Sequence, residues 1–190
     1  MRTFATLLRM EASRAPGPAP SYFSAHVVVV LLTIGDVGAI GRQALARRAG
    51  LGEGAIRTVI KRLKVEGLVK TRPQGCELTP RGREAYSEVK KMIPVITELP
   101  RTNLTVGRVQ VALVVKGRSE GVKSGIEQRD AAIRAGAAGA TTYVIRGSKF
   151  QIPGSSTDCE RDFPGKVWSK IREELHPDDG DAARHRRHHT

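Results

Sequence analysis

Residues 40–77 read IGRQALARRAGLGEGAIRTVIKRLKVEGLVKTRPQGCE. The stretch holds two helical patterns parted by a glycine turn, then two strand patterns parted by Pro73-Gln74-Gly75. A first helix is expected over residues 42–49, with Leu45 and Ala46 facing inward. In the turn Gly50-Leu51-Gly52, Leu51 is the single apolar residue and so its plug. A second helix is expected over about residues 53–66. There Ile56, Val59, Ile60 and Leu63 recur at helical spacing and form one buried stripe. Arg57, Thr58, Lys61, Arg62 and Lys64 fall on the other face. Gly67 supplies the left-handed conformation that stops such a helix. Two helices joined by a short glycine-containing turn make a helix-turn-helix, whose second helix can enter the major groove. The hairpin over residues 68–78 is then a wing.

Working outward, a central core helix capped by Ser21 or Ser24 is expected to run to about Ile34, with Val27 to Leu32 apolar nearly all round. Its apolar run is too short to span a bilayer. His26, at its start, is expected to be a satisfied structural histidine. Residues 35–38 form a turn, and residues 39–41 a short strand that pairs with the wing. Beyond the wing, Thr79-Pro80 is an N-cap followed by proline at the first helical position. The helix it opens, residues 81–93, carries Ala85, Val89 and Met92 on one stripe. That stripe either meets a second copy of the chain or covers its own core. Ahead of all this, residues 1–20 comprise a short amphipathic start and a Pro-rich linker.

The carboxyl-terminal half has a different texture. Residues 94–103 are a linker punctuated by Pro94 and Pro100. Residues 109–115 form a strand apolar enough to be central in a sheet. Ser124-Gly125-Ile126-Glu127 fits a capping box that opens a helix through Ala135. Residues 141–145 and 150–152 form a hairpin, and Val167, Trp168, Ile171 and Leu175 mark a last amphipathic helix. The order β-α-β-β-α over residues 104–175 gives a small α+β domain, with a right-handed crossover if its first two strands are parallel. From His176 onward the tail HPDDGDAARHRRHHT has no apolar residue beyond alanine and is expected to be disordered. Its histidines His185, His188 and His189 are read as solvated rather than as metal ligands. The fold class is therefore α+β, a winged helix-turn-helix domain (residues 21–93) followed by the smaller domain.

Charge narrows the function. The chain of 190 residues carries a formal net charge of +13, which points to a polyanionic partner. Residues 42–72 hold nine basic residues against two acidic ones, so +7 of that excess lies in the helix-turn-helix and wing. Phosphate contacts supply affinity and base contacts specificity. Arg57, Thr58 and Lys61 lie where a recognition helix reaches base edges, and Arg57 and Lys61, one turn apart, could each address a guanine. Arg42, Arg62 and Lys64 suit phosphates, and Lys70, Arg72 and Gln74 put the wing in or beside the minor groove. The expected partner is double-stranded DNA.

The second half lacks comparable chemistry. Glu127 is absorbed by the capping box and Arg129-Asp130 is an ordinary solvated pair. The segment from Gly117 to Gly125 breaks phosphate-loop spacing, because Val122 separates Gly121 from Lys123. Cys76 and Cys159 make neither a metal pattern nor a disulfide framework, as in a reducing cytosol. No cofactor, metal or membrane is expected. The loop at Arg118 to Lys123, with Ser124, Gly125 and Arg129, is the best candidate for a small anionic effector site.

The stretch from Leu45-Ala46 through Gly50-Leu51, residues 55–63 and Glu66-Gly67-Leu68-Val69 resembles winged-helix DNA-binding domains. Together with Gly17-Pro18, Leu51-Gly52-Glu53-Gly54 and residues 125–142, the layout is similar to archaeal winged-helix regulators that carry an uncharacterised carboxyl-terminal domain. The resemblance implies a cytoplasmic, dimeric transcriptional regulator and not an enzyme. It carries no site residues into the second domain. Two other readings stay open: a winged helix used for protein or RNA contact, and an enzyme with its site in residues 104–175.

Overall fold

The computed structural model describes Leu7, residues 22–100 and residues 109–188. The chain divides into two compact units between Val89 and Lys90.

In the first unit, α1 (Ser24–Val37) is the core helix. It runs three residues further than its apolar pattern and stops at Gly38, whose positive φ of 83° suits glycine. Its N-cap is Phe23 rather than a serine. The Phe23 amide donates to His26 Nδ1 at 2.9 Å and the His26 amide donates back to the Phe23 carbonyl at 2.9 Å. His26 thereby ties down the helix start in place of a hydroxyl. The helix-turn-helix follows as α2 (Arg42–Ala49) and α3 (Glu53–Val65). Gly50 caps α2 in the left-handed conformation, and the Leu51 amide reaches back to the Ala46 carbonyl. On α3, Ile56, Val59 and Leu63 are fully buried and Ile60 is 8% exposed. Each such side chain contributes roughly 1.5–3 kcal/mol by burial.

The wing is β1 (Val69–Arg72) antiparallel to β2 (Gly75–Leu78), with Val69 opposite Leu78 and Arg72 opposite Gly75. Ile40 adds a single bridge to Cys76 rather than a strand. α4 (Pro80–Met92) then returns to the core. The Thr79 hydroxyl accepts from the Gly82 amide at 2.9 Å and donates to the Gly67 carbonyl at 2.6 Å, so one side chain both caps α4 and closes the wing. Ala85 and Val89 are buried in this unit's own core together with Leu7, Leu31 and Leu45. Met92, the third residue of that stripe, is only partly buried and lies outside this core.

The second unit is built on a five-stranded sheet of order β3-β4-β7-β5-β6. Its strands are β3 (Ile96–Leu99), β4 (Val109–Val115), β5 (Gly139–Arg146), β6 (Lys149–Gln151) and β7 (Ala182–His188). All neighbours are antiparallel. Its helices are α5 (Ile126–Arg134), the short α6 (Cys159–Asp162) and α7 (Lys166–Leu175). α7 supplies Val167, Trp168, Ile171 and Leu175 to a core shared with Tyr143, Ile145 and Phe150. Tyr143, Phe150 and Trp168 pack as a ring cluster with centroids 5.2–6.3 Å apart.

Three expectations change. The tail was expected to be disordered, yet β7 lies in the middle of the sheet and pairs with β4 on one side and β5 on the other. β4 and β5 are consequently not neighbours: both run antiparallel to β7 and so parallel to each other, with β7 inserted between the two strands of the expected β-α-β unit. The expected linker over residues 94–103 contains β3, paired with β4 from Ile96↔Leu113 to Leu99↔Gln110. Lastly, the capping box at Ser124 is absent. Gly125, left-handed at φ 77°, is the N-cap of α5, so Ser124 falls one position early and its hydroxyl accepts from the Ile126 amide at 3.3 Å.

The entry to β7 is held by a buried carboxylate. Asp181 is 3% exposed. It accepts from the Gly117 amide at 2.8 Å and the Asp178 amide at 2.8 Å, and its Oδ2 lies 2.9 Å from Lys116 Nζ. Burial works against the charged form, but these hydrogen bonds from Lys116 and the two amides outweigh it and hold the Asp181 carboxyl below its ordinary pKa.

Candidate nucleic-acid interface

The polar side of α3 follows from the same periodicity that buries its other side. With Ile56, Val59, Ile60 and Leu63 in the core, Arg57, Thr58, Lys61 and Lys64 are left exposed. Arg57 and Lys61 are one turn apart on that face. The Thr58 hydroxyl donates to the Gly54 carbonyl at 3.0 Å, so its hydrogen is used within the helix and only its lone pairs and methyl face outward.

Arg62 is placed otherwise than the charge pattern expects. It is half-buried, with its guanidinium 5.6 Å from the centre of the Tyr22 ring. Tyr22 is 2% exposed, so Arg62 packs its planar head over a core aromatic. Sequence spacing sets it beside Lys61, but the helix carries it round to the Tyr22 side. Arg42, at the start of α2, is exposed. It and Lys64 both lie close enough to Cys76 to act on its thiol. Burial pushes that thiol up from its usual pKa, against a hydrogen bond with Thr71 and the Lys64 and Arg42 charges.

On the wing, Arg72 and Gln74 are exposed and Lys70 is half-buried. Lys70 and Glu77 are direct cross-strand partners. Glu77 Oε2 lies 3.3 Å from Lys70 Nζ and 3.4 Å from Arg72 Nε. One carboxylate thus serves both wing cations and cuts the charge available to a polyanion. The sequence reading passed over Glu77. Its signal was the two-residue hairpin register, which sets residue 70 against residue 77.

The residues considered for an anionic effector are less coherent. Arg118 and Lys123 are exposed at the two ends of a short 3-10 turn, Ser119–Gly121. Ser124 is spent on Ile126, and Arg129 Nη2 lies 3.1 Å from Asp130 Oδ1. Gly125 seats against Thr142 and Pro153: a Cβ there would lie 3.3 Å from Thr142 Cβ and 3.6 Å from Pro153 Cγ. Among the described residues no group of three His, Cys, Asp or Glu side chains could hold a metal ion. His185 and His188 fall within β7, and His189 lies outside the described residues. No helix among the described residues is long and apolar enough to cross a membrane.

Comparison with known proteins accords with this division. Residues 28–93 match the family described as the CggR N-terminal DNA binding domain. Residues 106–183 match a domain of unknown function, DUF4443. Among solved structures, hypothetical protein PH0730 from Pyrococcus horikoshii OT3 is similar over 90% of this chain and 85% of its own, at 26% identity and a TM-score of 0.68. The MarR family protein Rv2887 of Mycobacterium tuberculosis, in complex with DNA, shares 28% identity over 47% of this chain and 70% of its own, with a TM-score of 0.33. Bordetella bronchiseptica BpsR, whose DNA binding is regulated by 6-hydroxynicotinic acid, shares 26% identity over 47% of this chain and 71% of its own, with a TM-score of 0.33. No curated protein matches the sequence. The first unit is a winged-helix DNA-binding region, and a small sheet-containing domain follows it.

Proposed function

We propose that this chain is a transcriptional regulator that binds duplex DNA with α3 in the major groove and the wing on adjacent backbone or minor groove. The observation that carries the reading is the exposed face of α3, Arg57, Thr58, Lys61 and Lys64, set back to back with a fully buried stripe inside a matched DNA-binding domain. That face offers two long cationic donors at one-turn spacing, with one acid, Glu53, a turn ahead of Arg57 at the helix start; the donors suit base edges flanked by phosphates. We take the chain to act by binding rather than catalysis, in the cytoplasm of an archaeon, the similar Pyrococcus protein being archaeal. The sheet domain is proposed to serve as its dimerisation or effector module. A small anion near Arg118, Lys123, Ser124, Gly125 and Arg129 is the form an effector would take.

The test is a selection from fragmented genomic DNA with purified protein, with and without a metabolite pool, followed by titration of the recovered site. Arg57→Ala and Lys61→Ala are each expected to weaken binding to that site by about 1–3 kcal/mol and to relax its sequence preference. Unchanged affinity in both variants removes α3 from the major groove. The wing makes a separate prediction. Glu77→Gln releases Lys70 and Arg72, so the dependence of log K on log salt should steepen by about one ion. Stability should fall by less than about 1 kcal/mol, because the pairs are partly exposed. A slope no steeper than that of the unaltered protein would show that the wing cations do not reach phosphate.

A further inference from the structure

The sheet of the second unit is apolar on both faces at β4 and covered there on one. β4 reads VQVALVV. Its Ala112 and Val114 lie in the core that α7 completes. The alternate residues, Val109, Val111, Leu113 and Val115, fall on the opposite face and stay half-buried. β3 extends that face, because Ile96 is the register partner of Leu113 and Glu98 that of Val111. Ile96 is 52% exposed. α5 covers the same face at β5, where Ala132 and Ala140 share a small cluster. Among the described residues no helix packs along it at β3 or β4. An antiparallel strand with one wet face alternates apolar with polar residues. β4 does not, so its second face has the composition of a buried one, and a patch of that kind marks an interaction surface.

We propose that a second copy of this chain covers this face, sheet on sheet, about a two-fold axis parallel to β4. The proposal rests on the dimerisation reading given above and names the surface that performs it. The order of charge across the strands selects a second copy over a foreign partner. β7 flanks β4 on the side away from β3, and by register it sets Arg184 beside Leu113 and Arg186 beside Val111. One row across the sheet therefore runs Glu98, Val111, Arg186, with an acid on one flank, a valine in the middle and a base on the other. A two-fold axis along β4 keeps each row on itself and lays β3 over the β7 of the second copy. Val111 then meets Val111, and Glu98 of each copy falls opposite Arg186 of the other, so the surface is complementary to itself. Glu98 is exposed and has no ionic partner among the described residues, which leaves it open to that contact. Aligned stacking of two antiparallel sheets, about 10 Å apart, is the packing of β-sandwiches.

The experiment is sedimentation of the full chain at neutral pH without DNA. The unaltered chain is expected to dimerise. Glu98→Arg sets two bases against two bases and should raise the dimer dissociation constant about a hundredfold. Arg186→Glu should do the same by setting acid against acid. An equimolar mixture of the two variants should then form a heterodimer, read as one mixed species by native mass spectrometry, because each contact again pairs an acid with a base. A Glu98→Arg chain that dimerises as the unaltered chain does, or a mixture that stays monomeric, overturns this face and leaves the dimerisation reading to another surface. An unaltered chain that is monomeric overturns both and gives the face to a different protein. Unchanged thermal midpoints in the two variants separate loss of association from unfolding.

Discussion

Asp181→Ala is expected to destabilise the second unit by about 3–4 kcal/mol. The residue is 3% exposed and accepts two backbone amides while pairing with Lys116. Removing it strands the Gly117 and Asp178 amides and leaves the Lys116 ammonium, itself only part-exposed, without its buried partner. The effect spreads because the Asp181 carbonyl also accepts from the Ile145 amide at 2.9 Å, at the point where β7 enters between β4 and β5. Asp181→Asn, which keeps the shape and some hydrogen bonding, should cost less, and the difference isolates the charge. The pH dependence has a definite sign. The folded carboxyl is held below its ordinary pKa, so its contribution is fully present above the unfolded value of about 3.9 and is lost as pH falls through the folded pKa. Chemical unfolding of the unaltered protein and of Asp181→Asn at a series of pH values should therefore show a gap near neutrality that closes on acidification below about pH 4. A gap that stays constant with pH would mean the side chain acts through packing alone.

Gly82→Ala is expected to cost the first unit about 3 kcal/mol or more, although alanine is ordinarily the better helix residue by about 1 kcal/mol. A Cβ at position 82 would lie 1.9 Å from the Leu68 carbonyl oxygen and 2.9 Å from its carbon, and these are backbone atoms that cannot swing away. α4 would have to lift off the start of the wing, breaking the Thr79 contacts to Gly67 and Leu68. A matched control lies on the recognition helix. A Cβ on Gly54 meets nothing within 4 Å, so Gly54→Ala should stabilise the protein by about 0.5–1 kcal/mol. Thermal unfolding of the pair should move in opposite directions, and a fall of more than about 10 °C is expected for Gly82→Ala. If Gly82→Ala melts with the unaltered protein, α4 and the wing do not approach as closely as the structure has them.

The first unit was largely legible because its signals are local. The buried stripe of α3, the Gly50 stop and the wing turn each involve residues within a turn or a hairpin of one another. The exposed cations of α3 follow by subtraction once the stripe is known. Where the sequence reading of the interface erred, a contact outside the element intervened. Arg62 packs over Tyr22, forty residues earlier in the chain. Glu77 joins Lys70 and Arg72 across the hairpin, and the net charge of the wing depends on that partner rather than on the count of basic residues.

The second unit shows the opposite case. By itself the sequence determined that a helix-turn-helix with a wing precedes a mixed α and β segment, because periods of 3.6 and 2 and glycine stops are properties of neighbouring residues. Only the tertiary structure decided that AARHRRH forms β7 and that residues 96–99 form β3. A strand between two others is held by ladders to both, from Val115↔Ala182 to Val109↔His188 on one side and from Val144↔Ala182 to Gly139↔Arg187 on the other. Those partners lie dozens of residues away and are backbone groups, which carry no trace in side-chain composition. Asp181, read as one charge in a solvated run, becomes the buried anchor of that strand only when Lys116 and Gly117 are brought beside it.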